Sequence, residues 1–540
     1  MKKNIKSTLL ISTAIVTALL TATFAGSRKA YARELNDEEK AALEQTIEEA
    51  FDKMEKENLG KLNLDLSKHD LKVESMHEYV SILRVMDKVR LKRIPVFKFG
   101  SHEFEAIYFY TPTKPFGYID PGDIYDPYWD SAELRKKSDK ARIMRTEISY
   151  DPHYVNKDNT LKKDLFEHDL KTAPEVYNKI LSKINDNMSD LEKLLVIHDE
   201  YCALTTYPAE TGTNEYGKPE HDQFATSPIS SLTTRASVCY AQSVMMYDLL
   251  TDAGIECIRV GSTDMSHAWN MVKIDGNYYH IDTTWDNADY ENTDPSINHT
   301  YFLRTDKEIE ILGHTHDWQD ETAGTKFLDA PLTPEEPGFK GYIFRGSGEP
   351  DDYYGSDTYR NFTYLDGRWY CFDSYENEIV SYSDLEGHDR KAVKPITDEY
   401  ILTVYGSDKA LYVCTPKKLY EYRPDTETLT QVLTPEDVRK DCYFTSMVIA
   451  LDEIKVRVYS NEDNEYADKT YPLAEIETKP TDTPAPTNTP EISKAAEPVK
   501  EMEIKPVENT KDNKGLMIAI AGAAVVLIAL AVILITKKRK

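Results

Sequence analysis

Ser266-His267-Ala268-Trp269-Asn270-Met271-Val272-Lys273-Ile274-Asp275-Gly276-Asn277-Tyr278-Tyr279-His280-Ile281-Asp282-Thr283-Thr284-Trp285-Asp286 reads as a hairpin. Asp275-Gly276 is a strong signal for a two-residue type I′ turn, so His267 to Ile274 and Asn277 to Trp285 are expected to pair as strands. Ile274 then faces Asn277, and His267 faces Thr284. Asp282 becomes the diagonal neighbour of His267 on the same side of the sheet, because strand side chains alternate. The other side carries Val272, Ile274, Tyr279, Ile281 and Trp285, a core face. Upstream, Ile255 to Val260 reads as a further strand.

Working back along the chain, Val238, Ala241, Val244, Met245 and Leu249 recur at helical spacing, and Gly254 stands where a left-handed residue after a helix is expected. Cys239 therefore falls in the first turn of a buried helix. Unpaired N–H groups and the positive end of the dipole favour a thiolate there. A lone cysteine in such a helix is most often an inert core residue. A thiol, an imidazole and an orienting carboxylate together are the parts of a nucleophilic acyl-transfer site, and Cys239, His267 and Asp282 are the candidate catalytic residues.

The stretch from Val238 to Asp286 resembles the bacterial transglutaminase-like (papain-like thiol) superfamily. The matching pieces are Cys239 opening a helix, Ala253-Gly254-Ile255-Glu256-Cys257, His267-Ala268-Trp269-Asn270, and Tyr278 to Asp286 after Asp275-Gly276. Ser189 to Tyr201, with a Ser189/Glu192 capping box, looks like the helix that precedes the core in that family. The likeness extends from Ser189 to Leu303. It implies an α+β fold with a papain-like, transglutaminase-type core, a cysteine-bearing helix packed on an antiparallel sheet. One departure stands out. The family has a small residue two positions after the nucleophile and an aromatic next; here stand Ala241 and Gln242.

The chemistry expected of these residues is thioester-mediated acyl transfer on protein or peptide amides. His267 takes the Cys239 proton or pairs with a thiolate already formed, Asp282 fixes the imidazole tautomer, and the Cys239 backbone N–H is one oxyanion donor. The residues do not identify a second donor. The resemblance favours cross-linking or deamidation and implies no cofactor. Two alternatives remain open: a cell-surface cysteine peptidase or amidase, and a non-catalytic wall-binding or adhesion protein.

The rest of the 540-residue chain frames this core. Residues 1–32 read as a signal peptide: Lys2, Lys3 and Lys6, an apolar run from Leu9 to Ala25, then Ala30-Tyr31-Ala32. Residues 33–172 read as an N-terminal α+β region, opening with an amphipathic helix capped by Asn36, and 173–335 as the transglutaminase-like core. Within the N-terminal region, Gly117 to Trp129 holds Asp120, Asp123 and Asp126; the spacing fits no calcium-loop pattern and reads as a surface loop.

Residues 338–475 read as an all-β repeat module. Similar stretches begin near Tyr370, Tyr412 and Ser446, close to one propeller blade each, yet three blades do not close a propeller. Residues 478–514 are a Pro/Thr-rich linker with too little apolar content to fold. The apolar, uncharged segment 515–536 is long enough to span a bilayer and is followed by Lys537-Lys538-Arg539-Lys540, which places the expected C-terminus in the cytoplasm and the rest outside. A wall-sorting signal is the competing reading of that segment.

The formal net charge of −28 argues against nucleic acid as a partner. The expected partners are a protein or peptide substrate, cell-wall peptide among the options, and the membrane through one C-terminal helix. Six cysteines without close paired spacing make neither a zinc site nor a disulfide scaffold.

Overall fold

The computed structural model describes residues 35–476, apart from 70, 73–75, 115–116, 120–141, 144, 214–218, 288–296, 323–327, 346–360, 374–375 and 394–398. The expected leader, linker, apolar C-terminal segment and basic tail, and the Asp120, Asp123 and Asp126 loop, lie outside these residues. Among the described residues no helix is long and apolar enough to cross a membrane.

The chain is a mixed α and β structure with several antiparallel sheets. Helix α1 (Asp37–Glu57) starts where the sequence places it: Asn36 and Glu39 form a reciprocal capping box, and Leu43, Ile47, Ala50, Phe51 and Met54 line its buried face. Helix α2 (Met76–Arg93) packs against α1. It was not expected, since charged Arg84, Asp87, Lys88 and Arg90 dilute its buried stripe of Ile82, Val85, Met86 and Val89. Both accompany a six-stranded antiparallel sheet ordered Lys61–Asp65, Arg145–Tyr150, Ile107–Lys114, Arg142–Ile143, Leu71–Lys72, with Gly117–Ile119 beside the third strand.

Helix α3 (Lys163–Leu181) runs across the expected 172/173 boundary. Pro174 lies inside it and reads as a breaker in sequence. Helix α4 (Asp190–Leu204) has the anticipated Ser189/Glu192 capping box. Helix α5 (Cys239–Asp252) begins at the candidate nucleophile. It ends in a Schellman motif: Gly254 N–H donates to Thr251 O, Ile255 N–H donates to Leu250 O, and Gly254 has φ +85°.

Helix α5 lies on a five-stranded antiparallel sheet ordered Asn277–Ile281, His267–Ile274, Cys257–Ser262, Gln319–Asp320, Leu328–Asp329. Met245, Met246, Leu249 and Leu250 of the helix share one core with Val272, Ile274, Tyr279 and Ile281 of the sheet. Burying each such side chain stabilises by about 1.5–3 kcal/mol, enough to fix the helix on the sheet. The hairpin register matches expectation at its tip: Ile274 pairs with Asn277, and Asp275 and Gly276 take φ +51° and +83°.

The expected strand to Trp285 is corrected. It ends at Ile281, and Asp282 caps a one-turn helix α6 (Thr283–Asp286). The hairpin ladder therefore stops at Asn270 opposite Ile281, and the expected pairing of His267 with Thr284 does not form; on its other side His267 pairs with Ser262. Trp285 leaves the core face and stacks on His267 at 5.2 Å between ring centroids. The reason is local: both Thr284 N–H and Trp285 N–H donate to Asp282 Oδ1, which favours a helix start over continued pairing. A short helix α7 (Asp306–Ile311) follows, capped by Thr305 and Glu308.

Among the described residues the C-terminal region is β-structured, as three successive antiparallel sheets of four, four and three strands. Three strands went unread in the sequence, Lys391–Ala392, Thr428–Leu433 and Glu465–Pro472. The last is a mostly exposed edge strand, and its polar composition hides it.

Candidate active site

Three elements converge. Cys239 opens α5, His267 opens its strand, and Asp282 caps α6. His267 Nε2 lies 2.6 Å from Asp282 Oδ2, and the Cys239 sulfur is near enough to the same imidazole to favour its protonated form. His267 and Asp282 are buried, while Cys239 is only partly so.

Burial opposes a positive charge on His267. The Asp282 carboxylate, through charge and hydrogen bond, and the Cys239 sulfur outweigh it and push the imidazole up to about 10. Burial likewise opposes the Asp282 anion, but His267 and His314 hold that carboxyl well below its usual range. An ion pair between the imidazole and its carboxylate is the resting state these groups favour at neutral pH.

The departure at Gln242 acquires a role. Its amide is fully buried: Nε2 donates to Ser237 O at 2.8 Å, and Oε1 accepts from Thr284 Oγ1 at 3.1 Å. It thus ties the cysteine helix to the turn that carries Asp282. Asn270 adds a second tie, donating to Ser243 O at 3.0 Å. Trp269 and His280 are support for the sheet. Trp269 Nε1–H donates to His280 Nδ1 at 3.0 Å, and the other His280 nitrogen lies 2.8 Å from Asp306. Burial pulls the His280 imidazole down, in keeping with a neutral ring.

Sequence reading missed His314. Its Nε2 lies 2.9 Å from Asp282 Oδ2, the oxygen that also faces His267. It sits just after α7, in Gly313-His314-Thr315-His316, and only the approach of α7 to the hairpin brings it in.

A second cluster was also missed. On α4, His198 Nδ1 lies 2.9 Å from Asp199 and Nε2 lies 3.2 Å from Asp286; His299 Nε2 approaches Asp199 at 2.8 Å. Cys202, one turn on from His198, has its sulfur 3.7 Å from that ring and 3.7 Å from Thr283 O. Burial opposes charge on His198, yet Cys202, Asp199 and Asp286 raise it well above its ordinary value. Burial pushes the Cys202 thiol itself up, with His198 offsetting only part of this. We therefore leave the proton on sulfur and assign the His198 charge to the two carboxylates. No disulfide joins any of the six cysteines.

Among the described residues two groups bring their donor atoms within 4.8 Å of one another, His198, Asp199, His299 and His267, Asp282, His314. The imidazole–carboxylate separations of 2.6–2.9 Å in both are those of shared protons.

No family model matches the chain. Mouse kyphoscoliosis peptidase is 26% identical over 170 residues, covering 27% of this chain and 25% of that protein, so the chain spans about a quarter of the length of the curated relative it matches. Two arylamine N-acetyltransferase structures were also found, from Bacillus cereus, with a Cys-His-Glu catalytic triad, and from Bacillus anthracis. Each is 12% identical and covers 49% of this chain and 95% or 94% of its own, at TM-scores of 0.16 and 0.17. Superposition at these scores is poor.

Proposed function

We propose that this chain is a thiol acyl-transfer enzyme acting on protein or peptide amides, with Cys239 as nucleophile, His267 as proton carrier and Asp282 as its orienting anion. The supporting observation is a buried imidazole 2.6 Å from a carboxylate, with a helix-start cysteine sulfur also favouring its charged form.

In this mechanism Cys239 reacts as a thiolate paired with the protonated His267, and the thiolate attacks the amide carbon. The Cys239 N–H, at the first position of α5 where no intrahelical acceptor exists, donates to the oxyanion. The C–N bond breaks, the leaving amine takes the proton from His267, and a thioester remains. An amine acceptor then yields a cross-link, and water yields the acid. The distant peptidase relative supports hydrolysis as the second reading. The leader-like N-terminus and the apolar segment 515–536 support a surface-tethered enzyme.

The test supplies a glutamine-containing protein and a primary-amine probe to the full chain and to Cys239→Ala. Probe incorporation by the wild type alone indicates transfer, and shortened chains indicate peptide hydrolysis. If wild type and variant behave alike in both assays, the proposal fails.

A further inference from the structure

Asp282 accepts four hydrogen bonds. Oδ1 takes the backbone N–H groups of Thr284 at 3.0 Å and Trp285 at 3.2 Å; Oδ2 faces His267 at 2.6 Å and His314 at 2.9 Å. A carboxylate offers about four acceptor positions, so none is left over. Two of the four are fixed by backbone, one belongs to the proposed proton carrier, and the last is supplied by a side chain with no part in the mechanism above.

His314 is built to supply that bond. Its backbone N–H donates to Ile309 O at 3.1 Å, anchoring it to the end of α7. Its ring is boxed by Trp285 at 4.3 Å, Trp269 at 4.7 Å and Tyr301 at 5.6 Å between centroids. Nδ1 is buried with no hydrogen-bond partner. A proton there would be an unsatisfied buried donor, so the proton belongs on Nε2, aimed at Asp282.

We infer that His314 is a positioning residue of this site, whose Nε2–H pins the Asp282 carboxylate in the rotamer that meets His267. The inference rests on the proposed pairing of Cys239 with His267. Without His314, Oδ2 keeps one side-chain donor, and the carboxylate can turn about its remaining bonds and release His267. The competing account makes His314 mere filling for the aromatic box.

The experiment measures the rate of iodoacetamide alkylation at Cys239, resolved by mass spectrometry of the full chain at pH 7. The proteins are wild type, His314→Phe, His314→Gln and His267→Ala, with thermal melts as a check on folding. Phe fills the box without a donor; Gln places an N–H at the same reach. His314→Phe should slow alkylation by about tenfold or more, the range for losing a hydrogen bond to a charged group. His314→Gln should stay within about threefold of wild type, the residual of a restored bond. A folded His314→Phe as fast as wild type overturns the inference. A Gln variant as slow as Phe also overturns it, since packing would then explain both. If Phe does not fold, His314→Leu takes its place. A wild type no faster than His267→Ala would sink the Cys239–His267 reading itself, and this inference with it.

Discussion

One turn of helix separates two clusters made of the same parts. Asp282, at the head of α6, holds His267 beside Cys239; Asp286, at its foot, holds His198 beside Cys202. Each contains a thiol, an imidazole and a carboxylate of α6, and both of those carboxylates are fully buried. The difference lies in the sulfur. Cys239 starts a helix and is partly exposed, whereas Cys202 lies inside α4, 5% exposed, with burial keeping its proton in place. Cys202 does line a cavity of about 310 Å³ shared with Thr205, Arg235, Asn287, Tyr405 and Glu453, but the imidazole behind it is committed to two carboxylates. The same triad of residue types thus gives a proposed nucleophile in one setting and a structural brace in the other. Exposure and position on the helix, rather than inventory, make the distinction.

The largest effect should separate the two thiols. Cys239→Ala is expected to abolish acyl transfer, and Cys202→Ala to leave the rate within about threefold, because it removes a group outside the reaction. An equal loss in both, measured with the amine probe, would erase the contrast.

The two aspartates should divide next. Asp282→Asn is expected to lower the rate by about a thousandfold or more, by fixing the wrong tautomer on its histidine. Asp286→Asn should instead cost stability, about 3 kcal/mol in urea unfolding, by leaving His198 short of a buried counter-charge. A rate loss at Asp286 as large as that at Asp282 would show that the lower cluster also serves the chemistry.

A third difference is in pH. His267 has a folded value, about 10, above its ordinary 6.5. Its contribution to stability is therefore complete below about pH 6.5 and lost as pH rises through about 10. The stability gap between wild type and His267→Ala should shrink by roughly 4 kcal/mol from pH 6 to pH 10. A gap that does not change with pH would contradict the ion pair.

The smallest effect tests the platform beneath the upper cluster. Gly254→Ala places a side chain at φ +85° and should cost about 1 kcal/mol while leaving the rate untouched. A rate loss would mean that the far end of α5 steers Cys239.

How much of this was legible beforehand follows from what each residue depends on. Cys239, His267 and the Asp275-Gly276 turn are local facts, written in helical spacing, strand alternation and turn chemistry. The end of the strand at Ile281 is also local, but Asp-Thr-Thr-Trp serves a strand or a helix start equally well until the cap forms. His314, His299 and Asp286 were out of reach. Each contacts a residue distant in sequence, as His314 does Asp282 and His299 does Asp199, and no spacing rule links α7 or the 297–305 segment to the hairpin. The helix at Lys163–Leu181 was hidden by Pro174, and the last strand by its exposure.

The most direct measurement uses the second thiol of the same chain, Cys202, as its internal control. Limiting iodoacetamide is added to the native chain at pH 7, and the order of labelling of Cys239 and Cys202 is read by mass spectrometry, then repeated with His267→Ala. The account predicts that Cys239 labels first by at least tenfold and that His267→Ala removes most of that lead. Equal rates at the two sulfurs, or a lead that survives loss of His267, would contradict it.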